Sequence, residues 1–398
     1  MRRSKFMALT VASSSVSWDM EISHPDEGIN DLTTSPVDSS IIASASDDTS
    51  VRLWSIHPAH QMQPCVCILA GEGHTSKLLT VAFHDTGRYL LSAGHDQAIS
   101  LWTVPSLPTH AIDTPFQVHY PHFSTTAVHS GIVDWWVPIS RERAVPVLIL
   151  RSVSFYGDQV LSRACYDNAI VLWRIEGFSS TDPPPRYSEA PTPQAVISSS
   201  SEGQGGFTRS AFVPAISPGI PTQYTRLLEF HTPRCAEQFF MRFKLHHVPG
   251  QHAVLAFCNA AGSIFFWDFT RLTAYREVME RLCNSRQDKA TEQLPSWLRS
   301  VRRKSEAGGR FTPKNKADSA SPVQGCSVNG RNISSETMES WITRYSMEDP
   351  QRPLLAHKTV SAPDKFVGRQ VGWSPGGEWC VVVGGSVVLM LERWAMKS

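Results

Sequence analysis

The chain has 398 residues, of which 41% are hydrophobic, and its formal net charge is +1 at pH 7. A chain of this length and composition buries a sizeable core, and a net charge near zero excludes an overall attraction to nucleic acid or to an anionic membrane. No stretch approaches the roughly 20 apolar residues that a membrane-spanning helix needs, so we predict no membrane partner.

Two segments in the first hundred residues repeat one pattern after a divergent N-terminus, residues 1–23. IIASASDDTSVRLW and YLLSAGHDQAISLW each read as a strand of small residues, a polar turn and a second strand, which predicts a β-hairpin. A Ser, an Asp and a Trp fall at the same offsets in both, as Ser44, Asp48 and Trp54 and as Ser92, Asp96 and Trp102. This spacing resembles the WD repeat, the unit that forms one blade of a β-propeller.

A histidine precedes each hairpin and completes the repeat. His24 lies 30 residues before Trp54, and His74 follows Gly73 and lies 28 residues before Trp102. Polar groups spaced this regularly in a buried hairpin satisfy one another's hydrogen bonds. We therefore interpret the His, Ser, Asp and Trp residues as structural and not as a catalytic Ser/His/Asp set.

Three further hairpins follow with weaker signals. QVLSRACYDNAIVLW ends at Trp173 with Asp167 six residues earlier, the offset of the first two repeats. HAVLAFCNAAGSIFFW ends at Trp267, but Ala261 stands where the Asp is expected. The C-terminal segment, residues 355–398, reads as strands joined by Pro-Gly-Gly and Gly-Gly turns. The sequence thus predicts an all-β WD-repeat β-propeller with about five recognisable blades, three of them within residues 24–175 and one at 223–269.

The segments between these blades have a different composition. Residues 176–222 are rich in Pro, Ser and Gly, which predicts a long disordered loop. Within 270–354, the helical spacing of Leu272, Tyr275, Val278, Met279 and Leu282 predicts an amphipathic helix, followed by a basic disordered insertion. The basic run at 302–316 fits either a nuclear import signal or nucleic-acid contact, or a solvated loop. Residues 137–153 interrupt the third blade, which suggests an insertion or a gene-model error.

Chemistry-bearing motifs are scarce. The eight cysteines are scattered without zinc spacing, which favours reduced thiols and predicts no metal site and no cofactor. The sequence contains no nucleophile elbow, phosphate loop or clustered carboxylate motif. We therefore predict a protein that is not an enzyme.

A more specific resemblance comes from the linkers. GHTSKLLTVAFHDTGRYLLSAGHDQAISLW, VHYPHFSTTAVHSGIVDWW, VLSRACYDNAIVLW and FFMRF together resemble the Extra sex combs / embryonic ectoderm development (EED) family of Polycomb proteins. HYPHFST is the most specific, because a generic propeller has no reason to keep Pro121 and Phe123 in a linker. The resemblance implies a seven-bladed, nuclear, non-catalytic subunit of the Polycomb repressive complex. Its implied partners are the histone methyltransferase catalytic subunit, the methylated histone tail and other Polycomb complex subunits.

The family also implies a site. In the family, a Trp-Tyr pair before Met-Arg-Phe forms half of an aromatic cage for trimethyl-lysine, and Phe239 and Phe240 match that pair here. Aromatic faces attract a quaternary ammonium, and Phe attracts it less than Trp does. Adjacent residues of a regular strand point to opposite faces, so a regular strand would place only one Phe in the cage. Arg242 matches the arginine beside the cage, where it approaches the histone backbone or supports a ring.

The N-terminus departs from the family. The remaining cage aromatics come from the first two blades of the family, whereas the recognisable match begins at His24. This predicts half a cage, and a truncated or mispredicted gene product. The alternative function is a generic WD-repeat adaptor that has lost methyl-lysine reading.

Overall fold

The structure is a computed structural model. It describes residues 28–129, 150–165, 167–192, 207–214, 223–235, 241–248, 250–284, 294–298, 327–328, 331–362, 366–385 and 387–393. The chain divides into two compact units, Met1–Gly157 with Glu176–Gln223, and Asp158–Ile175 with Tyr224–Ser398. None of the helices in the described ranges is long and apolar enough to cross a membrane.

The first unit contains eleven of the described strands. They are β1 (Ile29–Thr34), β2 (Ile41–Ser46), β3 (Val51–Ser55), β4 (Cys65–Leu69), β5 (Leu78–Phe83), β6 (Tyr89–Gly94), β7 (Ile99–Thr103), β8 (Phe116–Val118), β9 (Phe123–Thr125), β10 (Leu150–Tyr156) and β13 (Thr208–Ser210). Short 3₁₀ helices span Pro58–His60 and Tyr187–Glu189.

The second unit carries the other described strands and both α-helices. They are β11 (Gln159–Ala164), β12 (Ala169–Ile175), β14 (Tyr224–His231), β15 (Lys244–His246), β16 (Val254–Cys258), β17 (Ser263–Asp268), α1 (Phe269–Asn284), β18 (Ser327–Val328), β19 (Arg331–Asn332), α2 (Ser335–Tyr345), β20 (Lys358–Ser361), β21 (Gln370–Trp373), β22 (Trp379–Gly384) and β23 (Val387–Glu392).

Each predicted hairpin is the centre of its own sheet. In the first unit the sheet orders are β1-β2-β3-β4-β8 and β5-β6-β7-β9-β13. In the second unit β12 pairs with β11 and β14, and the other two sheets have the orders β15-β16-β17-β20 and β21-β22-β23. Pairing between sequential strands is antiparallel in each hairpin. The arrangement of these sheets agrees with the all-β architecture that the repeat pattern predicts.

The hairpin turns show why an Asp recurs. The residue after that Asp adopts the left-handed conformation, with φ of 69° at Thr49 and 63° at Gln97, which is costly for residues other than glycine. The Asp side chain accepts a hydrogen bond from the amide two residues on, at 2.9 Å from Asp48 to Ser50 and 3.1 Å from Asp96 to Ala98. This local bond stabilises the turn.

The apolar faces of neighbouring sheets form the cores. In the first unit Ala43, Leu53 and Leu69 of one sheet pack with Leu78 and Leu90 of the next, and all five are fully buried. In the second unit the apolar residues of β16 and β17 pack with those of β21 and β22. Burial of apolar side chains is the dominant favourable contribution to folding, so these clusters hold the sheets of each unit together.

Helix α1 occupies the segment where apolar spacing predicts a helix. Leu272, Tyr275 and Val278 are buried, and Met279 and Leu282 pack beside them. Helix α2 lies inside the segment that composition predicts to be disordered. Its Trp341 is 3% exposed and packs in the same cluster as Tyr275. A few well-spaced apolar residues, with Ser334 capping the first turn, outweigh the polar average of that segment.

The loop predicted to be disordered, residues 176–222, also contains ordered parts. Thr208–Ser210 forms β13 and pairs with β9 in antiparallel register, while Phe178 is buried with its ring centroid 5.0 Å from that of Tyr89. The packing of Phe178 and the pairing of β13 with β9 order parts of a segment whose composition predicts disorder. The basic run at 302–316 and most of the suspected insertion lie outside the described residues, and Leu150–Tyr156 forms β10, which packs against β5 and β6.

Candidate functional site

The second hairpin brings all four of its predicted residues together. His74 Nδ1 lies 2.9 Å from Asp96 Oδ2, and His74 Nε2 lies 2.7 Å from Ser92 Oγ. Trp102 Nε1 donates to the same Ser92 oxygen at 2.8 Å. Burial raises the pKa of Asp96, but the hydrogen bond and the charge of His74 outweigh it, so this pKa lies below its ordinary value.

A Ser–His–Asp chain is also the arrangement of a hydrolase triad. Here Ser92 is fully buried and His74 is 5% exposed, and the serine oxygen already accepts the indole N–H of Trp102. A nucleophile needs access to substrate and a free lone pair. The geometry therefore suits a structural network that fixes the hairpin to the preceding loop.

The first and third hairpins keep part of this network. Trp54 donates to Ser44 at 2.8 Å, and Trp173 donates to Ser162 at 2.9 Å. Asp48 accepts from Ser50 and pairs with Arg52 at 3.0 Å, and Asp167 lies in the turn before β12. His24 lies outside the described residues.

The fourth hairpin replaces the polar residues. Trp267 Nε1 donates to the Leu354 carbonyl at 3.2 Å, because Phe257 stands ten residues before it, where the first two repeats have a serine. In the turn, Asn259 Oδ1 accepts from the amides of Ala261 and Ser263 at 3.0 and 2.8 Å. Asn259 thus accepts the turn hydrogen bonds that an Asp accepts in the first two repeats. The repeat spacing predicts that Asp at position 261, where this chain has Ala261.

Arg242 is the candidate cage residue that the structure describes. It is half-buried between Met241 and Phe243, which are 0% and 4% exposed, and its amide donates to the Arg369 carbonyl at 3.1 Å. The Arg369 amide in turn donates to Val383 of β22 at 2.7 Å. The backbone after the candidate cage is thereby tied to the last sheet. Phe239 and Phe240 lie outside the described residues.

Sequence reasoning missed Arg369 and Arg163. The Arg369 backbone joins the candidate segment to β22, and its only sequence signal is a cation directly before a strand. Arg163 is fully buried and donates to the Met241 carbonyl. The signal for it is present in the sequence, because the residue after the hairpin serine is Ala45 in the first repeat and Ala93 in the second.

A groove of about 790 Å³ lies in the first unit, apart from the residues singled out above. Two exposed aromatic residues line it, Phe116 and Tyr187, with ring centroids 6.1 Å apart, together with five prolines: Pro105, Pro108, Pro115, Pro184 and Pro185. Such a surface suits an extended apolar peptide.

Among the described residues no group of three or more His, Cys, Asp or Glu side chains is placed to hold a metal ion.

Comparison with known proteins places these features in a family. The WD domain, G-beta repeat, matches residues 12–55 and 64–103. The Polycomb protein EED of Chaetomium thermophilum is 41% identical over 93% of this chain and 74% of that protein. The chain belongs to the Polycomb EED family. Its fold class is the WD-repeat β-propeller, and the repeat match begins upstream of His24, where we expected the recognisable repeats to start.

More distant relatives and solved structures agree. The EED-family chain is 30% identical to the Polycomb protein esc of Drosophila melanogaster, over 37% of this chain and 33% of that protein. It matches the crystal structure of the Chaetomium thermophilum Polycomb repressive complex 2 with a TM-score of 0.76 and 42% identity, covering 95% of this chain and 74% of that chain. A structure of the same complex with trimethylated histone H3 matches with a TM-score of 0.75 and 42% identity, over 95% of this chain and 75% of that one.

Proposed function

We propose that this protein is the non-catalytic scaffold subunit of a Polycomb-type histone methyltransferase complex. It binds the methyltransferase subunit and the trimethyl-lysine histone tail, and supports transcriptional silencing in the nucleus. The observation that carries the proposal is the 41% identity to an EED protein over 93% of the chain, together with the match to that protein's complex.

The residues support a reading role through chemistry that differs from hydrogen bonding. A trimethylated ammonium has no N–H to donate, so it is recognised by aromatic faces, each worth about 0.5–2 kcal/mol. Phe239 and Phe240 are the proposed aromatic residues, and the half-buried Arg242 follows them. The backbone at Arg242 is held by the Arg369 carbonyl, which favours a fixed position for Arg242.

Peptide binding by the full chain tests the reading role. We expect fluorescence anisotropy to show tighter binding of a histone H3 peptide trimethylated on lysine than of the unmodified peptide. Phe239→Ala or Phe240→Ala should weaken binding of the trimethylated peptide by about two- to thirty-fold and leave the unmodified peptide unchanged. Phe207→Ala, which removes an exposed phenylalanine just before β13 and outside the groove lined by Phe116, is the matched control.

Two results separate the candidate functions. Equal losses for both peptides would contradict the cage. Copurification with the methyltransferase subunit, but without a preference for the trimethylated peptide, would favour the generic WD-repeat adaptor.

A further inference from the structure

Arg163 departs from the repeat pattern in a way that packing alone does not demand. The corresponding Ala45 and Ala93 are fully buried in their sheets, and Arg163 is also 0% exposed. Burying a guanidinium costs several kcal/mol unless its donors are satisfied. No ion pair in the described part of the chain involves Arg163, and its Nε has no hydrogen-bond partner there.

The contacts of this guanidinium point in two directions at once. Nη1 lies 3.4 Å from the Met241 carbonyl oxygen, and Nη2 lies 3.3 Å from that of Cys165. Its carbon lies 4.9 Å from the centroid of the Phe257 ring. The cation thus rests on an aromatic face and reaches the backbone that follows the candidate cage pair.

The platform beneath it is a second departure from the pattern. Phe257 takes the position of the hairpin serine, and Trp267 consequently donates to a backbone carbonyl. Two unusual residues, Arg163 in the third hairpin and Phe257 in the fourth, therefore meet each other. The Phe257 ring offers the buried Arg163 guanidinium an aromatic face, which offsets part of the cost of burying that charge.

We propose that Arg163 is a positioning residue for the methyl-lysine site: stacked on Phe257, it fixes the Met241 carbonyl and hence the backbone that carries Arg242. The inference rests on the proposed function and names a residue on which that function depends. Only a planar guanidinium can stack on a ring and donate from both edges, whereas a lysine ammonium is a point charge. Charge alone should therefore not preserve the site.

Three variants of the full chain test this role. Arg163→Lys keeps the charge, Arg163→Met keeps the bulk without a buried charge, and Phe257→Leu removes the platform. We expect each to weaken binding of the trimethylated histone H3 peptide about tenfold and to reduce its preference over the unmodified peptide. Arg226→Lys in β14, where the arginine is exposed and pairs with Glu229 at 2.8 Å, is the control and should bind as the wild type does.

The outcomes separate positioning from a bulk structural role. Loss of trimethyl-lysine preference, with retained capture of the methyltransferase subunit and cooperative unfolding well above the assay temperature, supports the proposal. Wild-type preference in a folded Arg163→Met or Arg163→Lys protein overturns it. If neither arginine variant folds, Phe257→Leu provides the test. A wild-type preference for the trimethylated peptide in that variant also overturns the proposal. A wild-type chain that shows no preference contradicts the proposed function itself, a result distinct from variants that bind as well as the wild type.

Discussion

Asp96→Ala is expected to lower the free energy of unfolding by about 3 kcal/mol. The carboxylate accepts from His74 at 2.9 Å, from the Thr75 amide at 2.9 Å and from the Ala98 amide at 3.1 Å. Its side chain is only 7% exposed, so water cannot replace these bonds. The substitution leaves a buried imidazole N–H without its acceptor, and the Ser92–Trp102 contact loses its anchor.

Asp48→Ala is the matched comparison. Asp48 occupies the same offset in the first hairpin, but its side chain is 22% exposed and it pairs with Arg52, so water replaces part of what is lost. We expect a loss of about 1 kcal/mol there. Urea titration of both variants measures the difference. Equal losses would show that the hydrogen-bond network around His74 contributes no more than an ordinary turn.

Acidification should destabilise the second unit through His357. The Asp268 amide donates to Nδ1 at 2.9 Å, and Nε2 lies 2.9 Å from the Arg344 carbonyl oxygen. Nδ1 must therefore be unprotonated and Nε2 carries the hydrogen, which fixes the neutral ring. Burial lowers the pKa of His357 to about 3, with smaller contributions from the nearby Arg271 and Arg344 charges, while the unfolded chain keeps the ordinary value near 6.5.

The sign follows from proton uptake. Between pH 6.5 and about 3 the unfolded state binds a proton that the folded state excludes, so stability is full above pH 6.5 and falls by up to about 1.4 kcal/mol per pH unit below it. His357→Asn should be less stable at pH 7 but lose stability less steeply between pH 6.5 and 5. Urea titrations across that range, with the exposed His110→Asn as control, measure the slopes. Parallel slopes for wild type and His357→Asn would contradict this assignment.

Local sequence patterns predict the hairpins because the residues that determine each hairpin lie within that hairpin. The alternation of the strands, the turn Asp and the terminal Trp lie within about 15 residues of one another, so Ser92 and Trp102 can be paired without tertiary information. The same holds for α1, whose apolar spacing matches the residues that are buried. Identity of the family followed from linker residues such as Pro121, which no general rule of strand formation requires.

Composition predicts disorder wrongly where contacts between residues far apart in the sequence determine the structure. Strand β13 forms because β9 offers it an edge, and α2 forms because Trp341 finds a partner cluster on α1. Neither partner is visible in a local window. The sequence pattern places the turn acceptor at Ala261 and therefore misses Asn259. The Asn259 side chain, two residues earlier, accepts hydrogen bonds from the backbone N–H groups of the turn in place of the expected Asp. Arg163 was overlooked because its platform, Phe257, is far away in sequence and near only in the fold.

The buried thiols give the molecule an internal reporter. Cys67 in β4 and Cys380 in β22 are free and at most 1% exposed, and burial raises the pKa of each to about 12. Alkylating reagents attack the thiolate, so near neutral pH these positions react only during excursions that open the surrounding sheet. Cys67 belongs to the first unit and Cys380 to the second. Position-resolved mass spectrometry of alkylation therefore follows the opening of each unit separately, with no engineered label.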